Sequence, residues 1–448
     1  MHTNTRVALG VTGALVAIAA VTSGCSQDTG TGTAGKGVSP PRSTHGLGDI
    51  IVGGQAVTGS KPSHLARVPY QRTYTNGPLY APVTGYRSMV YGNTGLEAVY
   101  DHTLGAGASG AAPGNVTTTI EPALQKAAFD ALGDQQGAAV ALDADSGELL
   151  AVVSTPSYDP ARFSGRGAKD AQAWKAATTD SRSPMLNRAL KKPDAPGATF
   201  SVVVAAAALE HKLYTTVDES TVSPLTFVLP LSTTRVTGTS PQCENASIRT
   251  ALRRSCANVF VKMAADMGLT RLGAMAGNFG FNDDTLKVPL SVAESSYPTV
   301  GTSSAGVALT GIGAGEVRAT PLAMARVVAA VANGGRLVPP QLVKRVTDAD
   351  GSTHRPPEAE DGRSAKRAIS RGTADALREV IGRHGQTGWT VGGRGESATS
   401  WFIGCTDAPG GRRTAVAVRI EGLSPPSGGD DGGHAAAEVA RKILANAS

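Results

Sequence analysis

The spacing of apolar positions divides the chain into strand-like and helix-like stretches. The first run, residues 7–21, follows Arg6 and holds no charge. That is the pattern of an export signal, and it is shorter than the roughly 20 residues that span a bilayer comfortably. Residues 26–44 are mostly Gly, Ser, Thr and Pro and predict a flexible tether. Asp49 to Gly54 reads as a strand ending in a glycine turn. Residues 123–132 have helical spacing behind Glu121-Pro122. Two β-prone runs, 137–143 and 148–154, flank Ala144-Asp145-Ser146-Gly147 and predict a hairpin. Helical stretches at 200–210, 248–267 and 321–333 fill the middle. A second strand pair follows at 400–405 and 414–420, then a final helix over 434–445 with Val439, Ile443 and Leu444 as its apolar positions. Strands at both ends with helices between predict an α+β domain whose sheet is assembled from distant parts of the chain.

Composition narrows this picture. With 448 residues, 41% hydrophobic and 17% charged, the chain suits two or more folded domains and is not a disordered one. Tyr70, Tyr74, Tyr80, Tyr86, Tyr91 and Tyr100 concentrate in residues 45–112, which read as a small β-rich module packed around them. A net charge of +6 spread over pairs such as Lys191-Lys192 and Arg253-Arg254 leaves no nucleic-acid footprint. Gly30 to Lys36 resembles a phosphate-binding loop only in part, because Gly37 stands where a hydroxyl is needed and no strand precedes it. The histidines are scattered without metal spacing, so neither metal nor cofactor is expected. Cys25, behind Thr22-Ser23-Gly24, reads as a lipidation site. Lipidation there and an uncleaved signal anchor both fit; either tethers the rest of the chain outside the cytoplasm. Cys243 and Cys256 are read as bridged or as buried and unpaired, since connectivity is not readable from sequence.

Further segments carry a specific resemblance. Thr118-Thr119-Ile120-Glu121-Pro122, the stretch from Val153 to Pro160, Met185-Leu186-Asn187-Arg188-Ala189-Leu190, Pro196-Gly197-Ala198-Thr199-Phe200, Cys243-Glu244-Asn245-Ala246 and Trp401-Phe402-Ile403 resemble class B penicillin-binding proteins. They run in order from about Gly48 to the C-terminus. The resemblance implies an α+β transpeptidase domain of the serine β-lactamase-like kind, an antiparallel sheet flanked by helices. A small β-rich N-terminal module precedes it. The boundaries expected are 1–25 for signal or anchor, 26–44 for the tether, 45–112 for the module and 113–448 for the transpeptidase-like domain.

The family's chemistry needs three motifs around one cleft. In the first, Ser-x-x-Lys at the start of a helix, the spacing of three sets the amine one turn from the hydroxyl that it activates. Alignment puts Ala198 at the nucleophile and Ser201 at the lysine. In the second, Ser-x-Asn, Ser255 is kept and Ala257 replaces the asparagine; Asn258 comes one residue late, about 100° round a helix. In the third, Lys-Thr-Gly followed by a hydroxyl, alignment gives Arg394, Gly395, Glu396 and Ser397. Arg394 keeps the charge and Ser397 the hydroxyl, whereas Glu396 sets a negative charge where a substrate carboxylate docks.

The expectation from these losses is a pseudoenzyme. The chain would be a membrane-tethered, extracytoplasmic scaffold for wall-synthesis proteins or a reader of peptidoglycan stem peptides, contacting them through Ser255, Arg394 and Ser397. Two alternatives stand beside it. One is an active D,D-transpeptidase that uses Ser201, Ser255 or Cys256 as a substitute nucleophile. The other is a sensor that holds β-lactams or muropeptides without a covalent bond.

Overall fold

The computed structural model describes residues 46–105, 112–356, 365–382, 384–391, 397–408, 410–424 and 434–447. They form the expected α+β architecture, with a smaller strand-rich module ahead of a larger sheet. In the module, β1 (Ile50–Val52) is followed by the hairpin of β2 (Thr58–Leu65) and β3 (Val68–Tyr74), then α1 (Gly77–Thr84). β4 (Asn115–Thr118) runs parallel to β1. Tyr80 and Tyr86 are buried, and Tyr86 meets Phe163 and Trp174 edge-on at 5.3 and 5.5 Å. Arg72 of β3 is buried beside Glu97, Nε to Oε1 2.6 Å, and Arg87 reaches the other oxygen of that carboxylate at 2.8 Å. Two cations on one buried carboxylate keep it from standing uncompensated.

The larger part begins with α2 (Pro122–Leu132) and the predicted hairpin, β5 (Gln136–Asp143) and β6 (Leu149–Thr155). Its helical middle contains α3 (Ser201–Glu210), a small hairpin of β7 (Thr226–Val228) and β8 (Arg235–Thr237), then α4 (Ile248–Arg253) and α5 (Ala257–Asn278). α6 (Ser304–Thr310) and α7 (Pro321–Ala332) follow. β9 (Val343–Thr347) then returns to pair antiparallel with β4, closing the module's sheet from far along the chain. α8 (Arg371–Ile381), β10 (Gln386–Val391), β11 (Ala398–Asp407), β12 (Arg413–Leu423) and α9 (His434–Asn446) complete the fold.

The central sheet has the order β10-β11-β12-β5-β6, every pair antiparallel. Side chains alternate between its faces. Val140, Leu142, Ala415, Ala417 and Trp401 join the core with α3 and α7, while Ala139, Ala141, Val416, Val418 and Phe402 join that of α2 and α9. Both faces are covered, which is why these strands read as almost unbroken apolar runs.

The helix expected over 248–267 is interrupted. α4 ends at Arg253, Ser255 takes a left-handed backbone with φ 51°, and α5 starts afresh at Ala257. Helical spacing persists on both sides of the break, so periodicity alone does not reveal it.

One buried ionic group ties the sheet to the segment ahead of α3. Arg419 of β12 is almost fully buried and pairs with Asp194, and it lies 3.1 Å from Glu421. Glu421 also receives Arg188 Nε at 2.8 Å and the Lys192 ammonium. Burial by itself would raise the Glu421 pKa; the Arg419 charge, with hydrogen bonds from Lys192 and Arg188, outweighs it and holds the carboxyl below its usual range. A depressed carboxylate stabilises the fold above the unfolded-state pKa, and that contribution is lost as pH falls through the folded value. Arg419→Met leaves Asp194 without its cation and takes one of three from Glu421. Urea unfolding at neutral pH is expected to show a loss of about 3 kcal/mol or more. The loss should shrink as acid protonates Glu421.

Candidate active site

Two motif-bearing segments and an edge strand gather around α3. The turn Gly197–Phe200 leads into α3, α5 packs along α3, and the edge strand β10 lies on the turn. Glycine makes the last contact close. A Cβ at Gly388 would sit 2.8 Å from the backbone nitrogens of Ala198 and Thr199. One at Gly197, where φ is +59°, would meet the Trp389 backbone at 2.8 Å. The strand and the turn therefore touch backbone to backbone. Behind the turn, Phe200 stacks on Tyr297 at 5.8 Å and meets Phe281 edge-on.

Ala198 is half-buried in the turn. It offers a methyl group, so no ester can form at this position. Ser201 opens α3, is fully buried and donates its hydroxyl to the Gly311 carbonyl at 3.0 Å. It neither faces solvent nor supplies an amine. Ser255 sits half-buried in the break between α4 and α5, and among the described residues its hydroxyl makes no hydrogen bond. Ala257 is half-buried at the start of α5. Asn258 turns into the core, where its Nδ2 donates to the carbonyls of Pro224 and Cys243, both at 2.9 Å. Ser397 is exposed just before β11, whereas Arg394, Gly395, Glu396 and Cys25 lie outside the described residues.

Cys256 forms a disulfide with Cys243, which resolves the alternatives left open by the sequence. The bond also removes Cys256 from the candidate nucleophiles, because its sulfur is no longer a thiol. Ser201 drops out through burial. Of the three substitutes weighed from sequence, only the Ser255 hydroxyl is both free and partly exposed.

The Arg188, Asp194, Arg419 and Glu421 group went unnoticed in the sequence, although it holds the approach to residue 198. Its signal was the pair of charges at Arg419 and Glu421, behind the apolar run Ala415 to Val418.

Residues 137–445 match the family model for the penicillin-binding protein transpeptidase domain, and residues 47–125 that for the penicillin-binding protein A dimerisation domain. The peptidoglycan D,D-transpeptidase PbpA of Mycolicibacterium smegmatis is 34% identical, over 89% of this chain and 88% of its own length. The crystal structure of PBPA from Mycobacterium tuberculosis superposes with a TM-score of 0.81 at 33% identity, covering 90% of this chain and 99% of that one. The same protein as a penicillin G acyl-enzyme complex gives 0.79, with the same identity and coverage. These relatives correct the expectation of a pseudoenzyme acting as a scaffold. A frame shared over nine-tenths of the chain is one on which a relative accepts a penicillin acyl group. The expectation rests on the loss of the reactive groups while flanks, hairpins and helices persist.

The geometry separates the two neighbours at the start of α5. Asn258→Ala leaves the buried Cys243 carbonyl, and that of Pro224, without their donor, and chemical denaturation is expected to show a loss of about 1–3 kcal/mol. Ala257→Asn, half-exposed, should change stability by about 0.5 kcal/mol or less.

Proposed function

Because the chain belongs to the penicillin-binding-protein transpeptidase family, we propose that it is a peptidoglycan D,D-transpeptidase of cell-wall synthesis whose acyl group is carried by Ser255. The observation behind this reading is the collinear likeness, 34% identity over 89% of the chain, to a protein named for that activity. The geometry at Ser255 supports it: a hydroxyl with no hydrogen-bond partner among the described residues, in the strained break that opens α5.

In the reaction proposed, Ser255 Oγ attacks the carbonyl of the penultimate residue of a stem peptide. The ester forms, the bond to the terminal residue breaks, and the departing nitrogen takes the serine proton. An acceptor amine then attacks the ester, makes the cross-link and restores the hydroxyl. A β-lactam would acylate the same oxygen by ring opening, with no leaving group lost. Arg394 and Ser397 are the groups proposed to receive the substrate's terminal carboxylate. No amine, imidazole or carboxylate among the described residues is hydrogen-bonded to Ser255, so general-base assistance worth about 10²–10⁴-fold is missing from its rate.

No helix among the described residues is long and apolar enough to cross a membrane. The proposed attachment to the outer face of the cell membrane therefore rests on residues 1–25, by a lipid on Cys25 or by an uncleaved signal.

Fluorescent penicillin tests the reading. Incubation over hours is expected to leave a label that survives denaturation and maps to the peptide containing Ser255. Ser255→Ala should lose it. The triple variant Ala198→Ser/Ser201→Lys/Ala257→Asn should label at least about 100-fold faster, because nucleophile and base are restored together. An unlabelled wild-type chain, beside a labelled triple variant, would sink the proposal.

A further inference from the structure

A second concavity lies away from residue 198, between the N-terminal module and the larger part of the fold. It has a volume of about 410 Å³. One wall is α1 with the short helix Gly95–Val99; the other is the stretch Pro184 to Lys191 with Leu290 and Ser291. Its size and its place between two folded parts are those in which small ligands are held.

The lining states what would fit. Pro82, Met185, Leu186, Leu190 and Leu290 give it an apolar body, and Val99, 45% exposed, stands at the rim. The polar groups of the inner wall are already satisfied within the protein. Asn187 Nδ2 donates to the Pro82 carbonyl at 2.7 Å, and Ser154 Oγ donates to the Leu186 carbonyl at 2.9 Å. An occupant's body therefore needs no hydrogen-bonding groups there. A single charged side chain, Lys191, lines the site. Its ammonium is exposed, donates to Ser291 Oγ and has no carboxylate partner among the described residues.

We propose that this cavity binds a small aliphatic monocarboxylate, its chain between α1 and the 184–190 wall and its carboxylate on Lys191. The chain contributes by leaving water for an apolar lining, and the carboxylate by a charge-assisted hydrogen bond. The site needs no acyl transfer, so it stands or falls separately from the reaction proposed at Ser255.

Octanoate is the probe, and octanol is its uncharged counterpart. With methionine methyls labelled, octanoate is expected to shift the Met185 signal saturably and to leave methionines remote from the cavity unmoved. Lys191→Met should weaken octanoate about three- to tenfold while octanol is held equally by both proteins. Ala98→Trp and Val99→Trp add bulk at two exposed rim positions, and at least one should abolish the Met185 shift without changing thermal unfolding. A Met185 shift that survives both filling variants would overturn the proposal. So would octanol binding the wild type as tightly as octanoate, or no saturable shift at millimolar octanoate.

Discussion

The pairing of β12 with β5 is the constraint on which the remainder of the structure hangs. It joins Thr414 to Asp143 and Glu421 to Gln136, so the centre of the sheet is made by segments from opposite ends of the domain. The helices of the middle lie between those two strands in the chain, and α7 packs on the face that the strands make when they meet. Long-range pairing of this kind is slow to form and, once formed, fixes register firmly, because a one-residue slip would exchange the two buried faces. β12 also brings Arg419 and Glu421 to the segment that leads into the turn at residue 198. The same strand therefore closes the sheet and aims the cleft.

Function is layered on that frame with a mixture of retained and altered parts. β10 lies on the turn and α5 packs along α3, while the side chain at 198 is a methyl. A disulfide holds Cys256 against the loop of Cys243, and Asn258 braces the same loop from inside. Ser255 directly precedes the first of these two anchored residues and is half-buried. Its backbone is left-handed, with φ 51°.

Much of the fold was legible in the sequence, and the reasons differ from place to place. The 137–154 hairpin, the 400–420 strand pair and the final helix were readable because alternation and helical spacing are strong there. The break at Ser255 was not, because apolar spacing continues through α4 and α5 and what interrupts the helix is tertiary. The ionic group was invisible in its partners: Arg419 meets Asp194 across 225 positions, and Arg188 meets Glu421 across 233. No local window contains both halves of either pair. At the site, alignment assigned the residues; it was the pseudoenzyme conclusion drawn from them that the acylating relatives overturned. Missing groups say what one position cannot do, and family-wide likeness says what the frame is built for.

The contact between Gly388 and the turn at Ala198 has one more implication. Because that spacing is set by main chain against main chain, this side of the cleft depends on Gly197 and Gly388 and not on the side chain at 198. The group at that position can be exchanged without this wall moving away or collapsing inward. A vessel whose gauge is fixed in this way can lose or change its contents and still keep its shape.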